Sequence, residues 1–391
     1  MRSILFIQER YPGIGGIEKV TTYLGNYFLE KCNYRVTILS VYPECDVERD
    51  PILNKNIEII NLYNRKTPTN PSDAQYVNKI IENNKVTHIL YQDSYSDNLN
   101  LLSNIDRNRV KIILSEHNTP NAQIIDKIVE FKTAPIIDFK TLKRKISFPI
   151  IYLKNRLRVK KHHKNAYKLS DKYIVLANPY MEMVSKMVGD NAKLSYINNP
   201  ITLNQCIESI HSTNKKNEIL FICRLSTQKG INFLLKIWEE FSKHHSDWIL
   251  RIVGDGSERN NMINIINKRK IGNIIFEGKQ TDVVSYYKKA KIVLMTSRFE
   301  GWPLTLTEGM SFGCIPIAFN SYKAVYDIID NETNGFIVNA FDIKTYIEKL
   351  DNLVSDVSLQ NEMAYNAFTK SQNFTMENIG KLWFDLIENM K

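Results

Sequence analysis

The stretch KIVLMTSRFEGWPLTLTE, Lys291–Glu308, passes through three backbone states in eighteen residues. Ile292–Met295 is a short apolar run between polar residues, as in a buried strand. A turn follows, and Pro303 then suits the first position of a new helix, where its missing N–H would be unbonded anyway. Glu300 stands before that helix and Glu308 about a turn inside it. The free N–H groups of a helix start near Gly301–Thr305 can meet a phosphate. Two carboxylates flanking such an anion site can bind diols, at roughly 1.5–3 kcal/mol per charge-assisted bond. They could hold the sugar and the ribose of a sugar nucleotide. Taken as an arbitrary pair, two such glutamates are more often one helix cap and one solvated side chain.

The same alternation extends upstream. EILFIC from Glu218 reads as a strand and KGINFLLKIWEEFSKHH as a helix, with further strands expected at Trp248–Val253, Asn273–Phe276 and Ile315–Ala318. Arg224 ends the first of these strands and Lys229-Gly230 opens the helix, so two cations at the carboxyl end of a strand can point at one pyrophosphate. Gly254-Asp255-Gly256 forms a second strand-end loop. In the first half, strands are expected at Ser3–Gln8, Arg35–Val41, Ile57–Leu62, Thr87–Tyr91, Val110–Glu116 and Lys172–Leu176. Between the first strand and a helix over Ile17–Lys31 lies the loop Gly13-Ile14-Gly15-Gly16, which offers backbone N–H groups to an anion. It is not a dinucleotide fingerprint, because the third glycine position holds Glu18, and no GK[ST] makes it a P-loop. A lone His117 stands at a strand end in SEHNTP.

A chain of 391 residues is too long for one ordinary core. The βαβ rhythm predicts an α/β protein with doubly wound parallel sheets in two domains, and the boundary falls in the polar stretch Asn199–Lys216. A last helix is expected at about Met376–Met390, with Ile379, Leu382, Trp383 and Leu386 on one face. The composition, 43% hydrophobic and 24% charged, excludes a disordered or fibrous chain. The longest apolar run, Ile146–Leu153, is far short of the roughly 20 residues of a membrane span, and the N-terminal apolar stretch is too short for a signal peptide. The five cysteines (Cys32, Cys45, Cys206, Cys223 and Cys314) are scattered with no CxxC spacing, so a reducing cytoplasm is expected and a zinc site is not.

The net charge of +10 is concentrated. Residues 1–205 hold 30 Lys+Arg against 20 Asp+Glu, whereas residues 206–391 hold 22 of each. Residues 139–170 alone carry eleven Lys/Arg and no acid. In that segment Ile146, Ile150, Leu153 and Leu157 recur at helical spacing, with Pro149 expected to interrupt the first turn. Arg156, Lys160 and Lys164 form a basic row on another face. This is the pattern of an amphipathic helix on an anionic membrane surface, favoured here over a solvated helix. Nucleic acid is not favoured as a partner, because no recognition module accompanies the charge.

Together GIGGIEKV, ILFICRLSTQKG, RIVGDG and SRFEGWPLTLTEGMSFGCIPIA resemble the retaining glycosyltransferases of family 4, whose hallmark is two glutamates separated by seven residues. The resemblance spans the chain and is strongest over Glu218–Val338. It implies the GT-B fold, two Rossmann-like domains facing a cleft: an acceptor domain over 1–205, with the basic segment 139–168, a nucleotide-sugar domain over 206–374, and a helix over 375–391 crossing back to the first domain. It implies that Glu308 binds the ribose hydroxyls and Glu300 the donor sugar. Arg224 and Lys229 would neutralise the departing diphosphate, with backbone groups of Gly15, Gly16, Gly254, Trp302, Leu304 and Thr305 around the donor. His117 would lie near sugar and acceptor, and the base near Gly278–Asp282. The implied partners are a nucleotide-sugar, most simply a UDP-sugar, and a glycan or lipid-linked glycan acceptor. The implied reaction retains anomeric configuration without metal or cofactor, and no DxD motif near a strand end offers a metal site. Two departures stand out: Gly309 follows Glu308 where alanine is commoner, and Asn199-Pro200-Ile201-Thr202 lacks the family's aspartate at the domain junction. The expected location is the cytoplasm, peripherally at the inner face of the membrane. The competing readings are a sugar-nucleotide 2-epimerase or hydrolase of the same fold, and a non-catalytic partner in glycan assembly.

Overall fold

The computed structural model describes residues 2–13, 15–42, 48–62, 71–92, 97–133, 143, 146–203 and 215–390. Cys45, Cys206, Ile14 of the glycine loop, most of the interdomain stretch and residues 139–142, 144 and 145 of the basic segment lie outside them. The chain divides into two units. The first joins Met1–Thr202 to Met376–Lys391, and the second is Leu203–Thr375.

The first unit holds a seven-stranded parallel sheet of β1 (Ser3–Gln8), β2 (Arg35–Ser40), β3 (Glu58–Asn61), β4 (His88–Tyr91), β5 (Lys111–Glu116), β6 (Lys172–Val175) and β7 (Leu194–Tyr196), in the order 3-2-1-4-5-6-7. The second holds a six-stranded parallel sheet of β8 (Lys216–Ile222), β9 (Ile249–Val253), β10 (Ile274–Gly278), β11 (Ala290–Met295), β12 (Ile315–Phe319) and β13 (Phe336–Val338), in the order 10-9-8-11-12-13. Both sheets are doubly wound, as the βαβ rhythm predicts. Central strands such as β1 are buried along their whole length because helices cover both faces, which is why they read as continuous apolar runs. Sequence reasoning missed β7 and β13, since three residues carry no period.

The helix Ile231–Phe241 shows how each face is covered. Leu234, Leu235, Trp238 and Phe241 recur at helical spacing and are fully buried against the second sheet. The indole N–H of Trp238 still donates to the Gly272 carbonyl at 3.0 Å. In the first unit the C-terminal helix Met376–Glu388 packs on the helix Gly16–Glu30, placing Ile379, Trp383 and Ile387 in one core with Leu24, Phe28 and Phe6. Tyr34 donates to Glu388 at 2.6 Å and fastens the end of that helix. Leu382, expected on the apolar face, is 49% exposed, because the buried arc centres on Ile379 and Trp383.

The basic helix spans Phe148–Leu169, and Pro149 lies in its first turn. Lys143 and Ile146 before it are helical as well, and the Ser147 N–H donates to the Lys143 carbonyl at 2.9 Å. The helical path therefore breaks at Ser147, as the proline leads one to expect, and restarts with Pro149 in the first turn, where its missing N–H costs nothing. Its buried residues are Val159, His163, Ala166 and Tyr167.

Replacing Trp383 with Ala removes one of the largest side chains in the first core. It should destabilise that unit by about 3–5 kcal/mol. Urea denaturation would show this as a lower midpoint for the first unit with the second unit's transition unmoved; a change below 1 kcal/mol would count against the packing described.

Candidate active site

In the second sheet β8 and β11 are neighbours, and the chain leaves them in opposite directions, toward β9 and toward β12. Loops that diverge from two such strands leave room at the strands' carboxyl ends, the usual ligand position in an open α/β sheet. The segment after β8 carries Arg224 and Lys229, and the segment after β11 carries Glu300. Three hydrogen bonds stitch these segments together. The Arg298 N–H donates to the Gln228 carbonyl at 2.7 Å, the Gln228 amide to the Phe299 carbonyl at 2.9 Å, and the Thr296 hydroxyl to the Lys229 carbonyl at 3.0 Å. Gly230 makes the approach possible. Its φ is +68°, and a Cβ there would stand 2.0 Å from the Thr296 carbonyl oxygen.

The outcome is a contact between residues 71 apart in sequence: Lys229 Nζ donates to Glu300 Oε1 at 2.6 Å. The Glu300 residue is 7% exposed. Burial by itself lowers the Lys229 pKa, but the Glu300 carboxylate more than reverses this and leaves it above the ordinary lysine value. Arg224 is exposed, and its positive charge acts on the same ammonium in the opposite sense. Cys223, which sequence reasoning passed over, shares this field. Burial pushes its thiol up to about 12, further than the neighbouring Lys229 pulls it down, so it stays protonated and unreactive.

Around this pair, Gly254 presses against the Arg224 segment, and a Cβ on it would meet the Cys223 carbonyl oxygen at 1.9 Å. Glu308 occupies a second position, 4% exposed in the helix Leu304–Met310, where its Oε2 accepts from the Tyr287 hydroxyl at 3.2 Å. Burial and the Glu308 charge raise the Tyr287 pKa well above its ordinary value, so it remains a donor. Tyr287 is another residue that no local signal marks, since it lies twenty-one positions before Glu308. Pro303 caps this helix, one place earlier than expected, and Leu304 and Thr305 open it with amides that have no intrahelical acceptor. Trp302 is buried edge-on to Phe374, with ring centroids 5.1 Å apart. Near the expected base site, the Asp282 carboxylate accepts from the Val284 N–H at 2.9 Å, just before the short helix Val284–Lys289.

Gly15, Gly16 and His117 belong to the first unit. Gly15 caps the helix Gly16–Glu30, and Glu18 folds back over the turn: a Cβ on Gly15 would stand 2.4 Å from Glu18 Oε2. A carboxylate there complements the helix dipole. His117 follows β5, and its Nε2 pairs with the side-chain oxygen of Gln92, which follows the adjacent β4. With that oxygen accepting, Nε2 carries the proton and Nδ1 keeps a lone pair, buried and without a partner among the described residues. Burial lowers the His117 pKa to about 4, so the ring is neutral at pH 7.

Residues 206–370 match the family described as Glycosyl transferases group 1. Over 214 residues the chain is 30% identical to an uncharacterized glycosyltransferase of Haemophilus influenzae, covering 54% of this chain and 60% of that one. Over 254 residues it is 26% identical to a Campylobacter jejuni alpha-1,4-N-acetyl-D-galactosaminyltransferase named for a GalNAc-GalNAc-diNAcBac-PP-undecaprenol substrate, covering 62% and 70% of the two chains. Among solved structures, Staphylococcus aureus TarM, in a complex that includes UDP, superposes over the whole of both chains with a TM-score of 0.76 at 13% identity. That likeness shows the fold, which is GT-B.

The first unit should weaken in mild acid. His163 is completely buried between the Tyr173 hydroxyl and the Pro120 carbonyl, both at 2.8 Å, and burial lowers its pKa to about 4, as for His117. An unfolded chain takes up these two protons near 6.5. Their contribution to stability is therefore complete above about pH 6.5 and declines as pH falls toward 4. Thermal denaturation of the first unit should show a falling midpoint across that window; a flat profile there would mean the rings are not held neutral.

Proposed function

We propose that the protein is a retaining glycosyltransferase of bacterial polysaccharide or glycoconjugate synthesis. It moves a sugar from a UDP-sugar to a glycan or lipid-linked glycan. One observation carries this reading: at the point where the second sheet reverses direction, a lysine meets a buried carboxylate beside an exposed arginine. Such a set suits a donor that is anionic at one end and hydroxylated at the other. The family match to residues 206–370, the undecaprenol-linked substrate named for the Campylobacter relative and the UDP in the TarM complex support the same reading.

In this reading Arg224 and Lys229 receive the diphosphate, together with the first amides of the helix at Leu304 and Thr305 and the backbone at Gly254 and Trp302. Gly15 and Gly16 of the first unit are assigned to the donor. Glu300 holds a hydroxyl of the donor sugar, and its ion pair with Lys229 holds its side chain in place until the diphosphate arrives. Glu308, oriented by Tyr287, holds the ribose hydroxyls. His117, neutral and bonded to Gln92, is assigned to the sugar and acceptor. The sugar C1–oxygen bond to the diphosphate breaks while the acceptor oxygen bonds to C1 on the same face. The acceptor proton passes to the leaving phosphate oxygen. Cations placed beside the developing phosphate charge stabilise it, and the step is assigned to no metal.

The expected results follow from these roles. UDP-sugars should raise the thermal midpoint, by the equivalent of about 2.7 kcal/mol at a hundredfold excess over Kd. Lys229→Ala should lower kcat by about 10²–10³-fold, in line with loss of one preorganised donor. Glu308→Gln should mainly weaken UDP binding, by about tenfold or more. Proton NMR of the product should show the donor's anomeric configuration. Inverted product, or epimerised donor without acceptor, would refute the assignment.

A further inference from the structure

The basic helix Phe148–Leu169 carries apolar side chains on the wrong side for its own core. Ile150, Leu153 and Leu157 are 63%, 56% and 59% exposed, and Ile146, just before the helix, is 72% exposed. Residues inside the helix turn by about 100° each, so Ile150, Leu153 and Leu157 share an arc of about 60°. The buried residues Val159, His163 and Ala166 lie on the opposite side. A soluble helix normally turns its one apolar stripe inward; this helix has a short inner stripe and a second, outer one.

The outer face does not stay apolar. By the same rotation Lys160, Lys161, Lys164 and Lys168 continue it toward the helix C-terminus, and Lys154 and Arg156 flank it on either side. Lys160 and Lys164 thus extend the apolar stripe, where a separate basic face was expected. All six cations, and Arg158, are exposed. No acidic residue occurs between Phe139 and Ser170. Among the described residues no helix is long and apolar enough to cross a membrane.

We infer that this face lies on an anionic lipid bilayer, parallel to its surface. Ile146, Ile150, Leu153 and Leu157 enter the boundary between headgroups and acyl chains, and the lysines contact lipid phosphates. A bilayer answers both halves of the face, because it offers apolar depth and negative charge within a few ångströms. A second copy of the chain would set like charges against each other, and a nucleic acid would leave the leucines in water. The inference does not depend on the reaction proposed above.

The test uses the full chain and vesicles of phosphatidylcholine alone or mixed with phosphatidylglycerol, read by flotation at low and high salt. The wild type should float with the mixed vesicles, float poorly with the neutral ones, and lose binding as salt rises. Lys160→Gln with Lys164→Gln should weaken partitioning about thirty-fold, two contacts of about 1 kcal/mol each. Leu153→Ser with Leu157→Ser should weaken it tenfold or more. These positions are exposed, so both variants should keep the wild-type thermal midpoint and its shift with UDP, which separates failure of this inference from failure of the proposed reaction. Equal recovery in neutral and anionic vesicles would overturn the inference. So would variants that float like the wild type, or a wild-type dimer in light scattering that the leucine variant dissociates.

Discussion

A carboxylate as buried as Glu300 requires a compensating cation. Arg298 is two residues away and donates its backbone N–H to Gln228. The cation comes from Lys229, brought over by the neighbouring strand at 2.6 Å. Much of the local structure around this pair serves to keep it together: the three hydrogen bonds between the loops, the left-handed Gly230 and the close passage of that glycine beneath the Thr296 carbonyl. A buried charge that loses its partner is strongly destabilising, so these features protect the fold as well as the chemistry.

The two units present different electrostatic characters at their candidate residues. In the second unit the groups are charged: Arg224, Lys229, Glu300 and, on Tyr287, Glu308. In the first, His117 is neutral and tied to a neutral amide, and Glu18 lies over the glycine turn at the helix start. Seven cations of the first half, with no acid among them, are displayed on the outside of one helix that also contributes His163 to the core.

Much of the fold was legible in the residues. Thirteen strands are found among the described residues, and those that sequence reasoning anticipated are continuous apolar runs ended by glycine, proline or polar residues. β7 and β13 escaped because three-residue edge strands have too little pattern. The interruption expected at Pro149 is present as the turn at Ser147, after which the helix restarts with the proline in its first turn. The glutamate spacing, Arg224, Lys229 and His117 stood out as residue types at strand ends. Gln92, Tyr287, Gln228, Thr296 and Cys223 did not, since nothing near them in sequence shows what they face.

The sequence by itself determined the alternation of strand and helix, the doubly wound parallel sheets, the positions of the polar residues along the chain and the acid-free basic segment. These depend on the side-chain period and on turn chemistry, which act between near neighbours. Only the tertiary structure decided that Lys229 neutralises Glu300, that Tyr287 orients Glu308, that Gln92 fixes the His117 tautomer, and that Ile150, Leu153 and Leu157 turn outward. Each of these is a pairing, or the lack of one, across elements far apart in sequence, and burial, charge compensation and exposure come into being only when those elements meet.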